Sequence, residues 1–358
     1  MKISCWASRL VMCAIVGFFL ILVEFNHPID VQIPSLPKYV RLLGKVEVTS
    51  NENLELCWTN SGMEFEFYGE GIKVLLKLNE GESKAALMGV WVDEEFSTYT
   101  NIDSGCDEYY ILQKLPRAWH KVKILKLSEY RDSSVYISGL LLLNSRSYNN
   151  IDKTVVQNKV VKFIGDSITC GYGVLAKYSD SPFNVLEEDG SKSYAYYIEQ
   201  TLNYDSYYYC QRGAGVAINN NGSHDNTMTD IYRNLISDGR PADIVIINLG
   251  TNDEIHINQD HNLIPIFKRQ YKNLLEKVRL NNPTAHIYVF YGVMGNGISC
   301  IIKDTVNEFA QEKKDAFIYY HQYKNSIFYI DNGISAGHPS MRAHEIFAQE
   351  TLDVIGSF

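Results

Sequence analysis

The pattern of apolar residues changes its period near residue 150, and that change limits the folds open to the chain. From about Val46 to Leu143, short runs alternate apolar and polar residues. Examples are Leu54-Glu55-Leu56, Met63-Glu64-Phe65-Glu66-Phe67, Ile72-Lys73-Val74 and His120-Lys121-Val122-Lys123-Ile124. Period two, with turn residues between runs and no helical stripe, predicts a β-sandwich over residues 45–145. The polar stretch from Asn144 to Asn158 reads as a linker. Beyond it, strand-like runs at Val160–Ile164, Ser206–Cys210, Asp243–Asn248, Ala285–Tyr291 and Ala316–Tyr320 alternate with amphipathic segments at 191–202, 226–236, 263–280, 301–313 and 341–355. Such alternation predicts a parallel sheet covered by helices on both faces, a three-layer α/β domain over residues 158–358.

At the N-terminus, Lys2 and Arg9 precede an apolar stretch from Leu10 to Val23 that is short for a membrane span. Residues 1–24 therefore read as a secretory signal or an N-terminal anchor. The protein is expected to be secreted or extracytoplasmic, with membrane anchorage left open. A net charge of −9, with no Lys/Arg-rich stripe, argues against nucleic acid and for a neutral or small-molecule substrate. Cys5 and Cys13 fall in the targeting segment, leaving Cys57, Cys106, Cys170, Cys210 and Cys300. Their odd number and the lack of any CxxC spacing exclude a disulfide framework or a zinc site as the organising feature. Cys57 and Cys106 share the first domain and could pair.

Three loops carry the chemistry. Gly165-Asp166-Ser167 ends the first strand of the α/β region, Asn248-Leu249-Gly250-Thr251-Asn252-Asp253 ends the third, and Gly337-His338-Pro339-Ser340 precedes the last helix. Loops leaving the carboxyl ends of parallel strands emerge on one edge of the sheet. Ser167, the Gly213-Ala214-Gly215 turn after the second strand, Asn252 and His338 are therefore expected to meet. A serine hydroxyl is a weak nucleophile until a base takes its proton, and His338 is the candidate base. The Ser167 and Gly215 N–H groups and the Asn252 amide are candidate donors to an oxyanion. Gly213 and Gly215 could also be plain turn glycines. His256 and His344 are the rival bases, both read as surface residues of a helix or loop. Asp166 and Asp253 read as structural, accepting backbone N–H groups and capping the helices that follow. Tyr172 could stack on a sugar ring or simply pack. Asn221-Gly222-Ser223 fits an N-glycosylation acceptor and is given no role.

With these four elements in this order, residues 158–358 resemble the SGNH (GDSL-like) hydrolase superfamily, whose blocks contribute Ser, Gly, Asn and His. Several further features extend the match: the sandwich in front, the GDSITCGYG run, Glu187-Glu188-Asp189-Gly190 followed by Ser193-Tyr194-Ala195, the INLGTND block and the terminal GHPS. Together they resemble the family two carbohydrate esterases. That resemblance implies a jelly-roll domain joined to a flavodoxin-like SGNH domain and bordering its cleft. It also implies an esterase that removes acetyl groups from polysaccharides through an acetyl-Ser167 intermediate, with an acetylated carbohydrate as partner and no metal or organic cofactor. The chain departs from the superfamily at one place. An aspartate usually stands two or three residues before the histidine, where this chain has Ala336 and Ser335, and Asp331 lies seven residues upstream. A backbone carbonyl would then orient the imidazole, giving a Ser–His dyad. Two alternatives belong to other classes. A carbohydrate-binding protein on a weakened hydrolase scaffold is disfavoured by the intact serine, glycine, asparagine and histidine. A lipid-directed esterase is disfavoured because no apolar lid segment accompanies the motifs.

Overall fold

The structure, a computed structural model, describes residues 29–80, 85–105, 108–145 and 147–356. The expected targeting segment and the Cys106 partner of Cys57 lie outside the described residues. Among those described, no helix is long and apolar enough to cross a membrane.

The first domain is a sandwich of two six-stranded antiparallel sheets. Alternate residues of its strands, among them Phe65, Phe67, Val74, Leu76, Val122, Ile124, Val135 and Ile137, fill one core. Period-two patterning found these strands because alternate residues of each point into this core. The sandwich exceeds the expected 45–145. Strands Ile29–Gln32 and Arg41–Leu43 precede that range. In the segment read as a linker, Ile151–Lys153 pairs with Ser61–Gly69, placing Ile151 opposite Phe67. Three residues carry no readable period, so only the pairing reveals that strand.

The second domain contains five parallel strands, Val160–Gly165, Asp205–Cys210, Ile244–Asn248, His286–Tyr291 and Ile318–Gln322, in the spatial order second-first-third-fourth-fifth. All five match the expected runs. Val160 and Ile164 enter the core under helices Met228–Arg233, Ile264–Asn281 and Ser299–Lys313. Val161 and Phe163 enter the opposite core, under Tyr194–Leu202 and Met341–Ile355. The chain is thus a three-layer α/β domain preceded by an antiparallel sandwich. The helix Thr251–Gln259 lies outside the expected amphipathic segments, because its sequence TNDEIHINQ has too few apolar residues to form a stripe.

The domains share buried surface. Trp58 of the sandwich sits in the α/β core, with its ring centroid 5.3 Å from that of Tyr209. Leu87, Trp91, Leu125 and Leu127 pack with Tyr196 of the α/β domain, and Lys123 Nζ donates to the Tyr196 hydroxyl at 2.6 Å. Deleting an indole from such a site should cost about 3–5 kcal/mol. Urea unfolding of Trp58→Ala should therefore show a large drop in midpoint, whereas a loss under about 1 kcal/mol would mean that this junction contributes little.

Candidate active site

Two buried aspartates shape the loops at the sheet edge. The first strand runs into Asp166, whose carboxylate accepts the Ile168 N–H at 3.0 Å and caps the one-turn helix Ser167–Cys170. Gly165 cannot carry a side chain, since a Cβ there would lie 2.0 Å from Thr169 Oγ1. Ser167 is thereby held at the start of a tight turn. After the third strand, Asp253 accepts the N–H groups of Val216, Ala217 and Ile218 at 2.8, 2.8 and 2.9 Å. It ties the loop after the second strand to the loop after the third. Asp166 caps the helix that follows, as read from the sequence; Asp253 accepts backbone N–H groups as expected but caps no helix, because it lies within Thr251–Gln259, whose N-cap is Gly250. Burial pushes the Asp166 carboxyl up to about 7 and that of Asp253 up to about 6, against the pull of these N–H donors.

His338 is presented by a short hairpin in which Ile334–Ser335 pairs with His338–Pro339. Its loop residues, Ala336 (φ 45) and Gly337 (φ 72), both have positive φ, as a type I′ loop requires. Ser335 Oγ donates to the carbonyls of Gly173 and Ala176 at 2.7 and 3.0 Å. Gly173 packs so closely that a Cβ there would lie 2.5 Å from that of Ala336. This clamp sets His338 Nε2 2.9 Å from Ser167 Oγ. Nδ1 faces the Ala336 carbonyl at 3.2 Å. The two contacts assign the proton to Nδ1, so that Nε2 accepts from the serine hydroxyl. Asp331 is exposed, and among the described residues no carboxylate bonds to this ring. Burial holds the imidazole below its ordinary value, partly countered by the Ala336 carbonyl.

The rival histidines lie elsewhere. His344 is fully buried rather than on the surface. Its Nδ1 accepts the Tyr194 N–H at 3.1 Å, and burial pushes it down to about 3, so it is a neutral packing group. His256 Nε2 lies 3.3 Å from the Asn220 carbonyl.

Ser167, His338 and Asn252 line one cleft of about 480 Å³. Asn252 Nδ2 donates to the Ala214 carbonyl at 2.9 Å and makes a longer contact of 3.3 Å with Asp166. Gly215 requires a correction. Its N–H donates to Asn219 Oδ1 at 3.1 Å, and a Cβ at this position would meet the Ile218 carbonyl oxygen at 1.8 Å. This glycine permits close packing inside its loop, while Gly213 (φ 71) lines the cleft. The GAG sequence offers both glycines, and the path of the loop selects between them.

Arg131 and Arg212 also line the cleft and were not anticipated. Arg131 comes from a sandwich turn, and nothing in its local sequence links it to Ser167. Arg212 directly precedes the glycine turn, an adjacency that would have been a usable signal. Its Nη1 pairs with Glu129 and, at 2.8 Å, with Asp132, both fully buried. Tyr172 lines the same cleft, with its ring centroid 4.1 Å from that of His338.

Glu129, Cys170 and Glu188 bring one potential ligand atom each to within 4.8 Å of one another. Glu129 already accepts from the Arg212 N–H, from its guanidinium and from the Cys170 thiol. Burial also raises the Cys170 thiol well above its ordinary value, which keeps it protonated. The donor set suits an arginine-centred ion cluster better than a metal.

The family model described as GDSL-like Lipase/Acylhydrolase matches residues 163–349, and that described as Carbohydrate esterase 2 N-terminal matches residues 42–147. The chain is 26% identical over 321 residues to the cellulase/esterase CelE of Acetivibrio thermocellus, a match covering 86% of this chain and 38% of that protein. It thus spans well under half the length of that relative. It is 23% identical over 334 residues to an acetylxylan esterase/glucomannan deacetylase of Cellvibrio japonicus, covering 87% and 89% of the two chains. The fold matches a family two carbohydrate esterase from Clostridium thermocellum, solved with cellohexaose, with a TM-score of 0.76 at 22% identity over 89% of this chain and 100% of that one.

Burial of His338 has a direct test. In an NMR titration its imidazole should lose its proton at a midpoint below the ordinary 6.5, and the neutral ring should carry hydrogen on Nδ1. A midpoint above 6.5, or an Nε2–H tautomer, would contradict this geometry.

Proposed function

Because the chain belongs to the GDSL-like lipase/acylhydrolase family, we propose that it is a serine esterase that hydrolyses O-acetyl groups on carbohydrate. The observation that carries this reading is the 2.9 Å contact between Ser167 Oγ and His338 Nε2 in an open cleft shared with Asn252. The sandwich match to the carbohydrate esterase 2 N-terminal domain and the relative named for acetylxylan and glucomannan support a polysaccharide substrate. The expected site of action is secreted or extracytoplasmic.

In this reading His338 accepts the Ser167 proton at Nε2 as Oγ attacks the acetyl carbonyl. The developing imidazolium keeps its Nδ1–H on the Ala336 carbonyl, so the pair works as a dyad. Negative charge on the attacked oxygen is met by the Ser167 N–H, the Gly213 N–H and Asn252 Nδ2. The long Asn252 contact to Asp166 is the one an oxyanion would take over. Collapse of the tetrahedral adduct expels the sugar oxygen, which receives the proton from His338 and leaves acetyl-Ser167. Water, deprotonated by His338, then attacks the acetyl carbon, and acetate departs as the serine regains its proton.

Acetate release from p-nitrophenyl acetate and from acetylated xylan and mannan tests the proposal. Ser167→Ala should abolish turnover without lowering the unfolding midpoint, and a serine-directed phosphonate should label only the wild type. Undiminished turnover in that variant would remove Ser167 from the mechanism. Binding of glycan without acetate release by wild type would favour a carbohydrate-binding protein.

The dyad is tested separately. Asp331→Asn should leave kcat unchanged, whereas a triad carboxylate replaced in this way costs ~10⁴-fold. Asn252→Ala should lower kcat about a hundredfold or more with little change in KM, because its amide serves the charged oxygen of the transition state. A raised KM at normal kcat would instead place Asn252 in ground-state binding.

A further inference from the structure

A histidine whose Nδ1 is met by a backbone carbonyl in place of a carboxylate needs something else to hold its ring and to stabilise the charge it gains. In this site that neighbour is aromatic. The Tyr172 and His338 ring centroids are 4.1 Å apart with the planes tilted by 34°. Tyr172 stacks in turn on Phe183 at 4.9 Å and 25°. The Arg212 guanidinium carbon lies 4.3 Å from the Phe183 ring centre. Four groups thus form one pile, imidazole, phenol, phenyl and guanidinium. The guanidinium at its far end is fixed by Glu129 and Asp132 of the sandwich.

We propose that Tyr172, backed by Phe183, is a positioning residue for His338 that takes over the two tasks of the missing aspartate. It fixes the imidazole plane against Ser167, and its ring face stabilises the imidazolium formed when Nε2 accepts the serine proton. The inference rests on the esterase reading for its kinetic arm, while the stack itself is a geometric observation. A cation within 6 Å of an aromatic centroid gains energy from the ring quadrupole, more so when water is excluded. His338 meets the distance condition on a half-buried ring, and Ala336 supplies only one neutral acceptor. The other charged or titratable groups around the ring and its stack are His344, held neutral by burial, the cleft residues Arg131 and Arg212, and the buried acids Glu129, Asp132 and Glu188, which act on Tyr172 electrostatically. None of the acids bonds to the imidazole, so the aromatic face is its immediate electrostatic partner.

The stack is tested in the full chain with Tyr172→Phe, Tyr172→Leu and Phe183→Leu, each checked for an intact unfolding transition. Tyr172→Phe keeps the ring and should retain kcat within about threefold. Tyr172→Leu removes the quadrupole but keeps apolar bulk. It should lower kcat about tenfold or more at little change in KM. Losing a partner that favours the imidazolium lowers the histidine pKa, so the acid limb of kcat/KM should move to lower pH in Tyr172→Leu, with a smaller movement in Phe183→Leu. A limb displaced to higher pH would mean that only burial was lost, and unchanged kcat and limb would overturn the proposal. A rise in KM alone would assign Tyr172 to sugar stacking instead. If Tyr172→Leu does not fold, Phe183→Leu and Tyr172→Phe must still order as stated. Wild type that neither releases acetate nor reacts with phosphonate would sink the esterase reading alone. The His338 NMR midpoint would still have to fall in the leucine variants.

Discussion

One arginine, paired with two buried carboxylates, holds the two domains in the relation the cleft needs. Arg212 leaves the end of the second parallel strand and meets Glu129 and Asp132 from a turn of the sandwich. Both acids are fully buried, and Lys126 braces the turn by donating to the Ser128 and Glu129 carbonyls at 2.7 and 2.9 Å. Glu188 is a third buried acid, and its electrostatic neighbours include Glu129, Asp132 and Arg212. Burial, with the mutual repulsion of the acids, raises Glu188 well above the carboxylate range and brings Glu129 to about 7. A cluster of this kind adds little net stability, but removing one partner strands a buried charge at about 3–5 kcal/mol. Its value lies in geometry, because a turn of the sandwich can satisfy its acids in only one docked position.

Several consequences follow from that docking. Arg131, next to Asp132, is carried to the cleft and becomes a sandwich residue of the candidate site. Arg212 is fixed at one end of the aromatic pile that reaches His338. The Glu188-Asp189-Gly190 stretch is trapped between the domains, with the Tyr99 hydroxyl donating to Asp189 Oδ2 at 2.7 Å and the Gly190 N–H donating to the Leu127 carbonyl at 3.1 Å. The sandwich is therefore part of the machinery that shapes the site.

Within the α/β domain the same economy recurs at a smaller scale. Asp166 and Asp253 use their carboxylates to hold backbone N–H groups, and neither makes contact with the His338 imidazole. The His338 hairpin is held from below by Gly173 and Ser335, which make the distance to Ser167 a packing distance. An imidazole placed this firmly can dispense with a carboxylate if its tautomer is set by a carbonyl and its charge is met by a ring.

The sequence by itself determined the features whose cause is local. Alternating residues marked strands such as Ser61–Gly69 and Ala118–Lys126 because alternate side chains point into the sandwich core. All five parallel strands were legible as apolar runs, and their common edge followed from the fold class. Ser167, Asn252 and His338 were readable because each stands in a Gly-containing turn directly bordering a strand or helix. Tertiary structure alone decided the rest. It chose Gly213 over Gly215 for the cleft, buried His344, added Ile151–Lys153 to the sandwich, brought Arg131 into the cleft that Ser167 lines and laid Tyr172 on His338. These outcomes depend on which distant atoms share a volume, as when the Ile218 carbonyl occupies the space beside Gly215. Periodicity and turn chemistry report the preferences of neighbours along the chain, whereas close packing and buried charge are settled between residues up to a hundred and seventy-one positions apart.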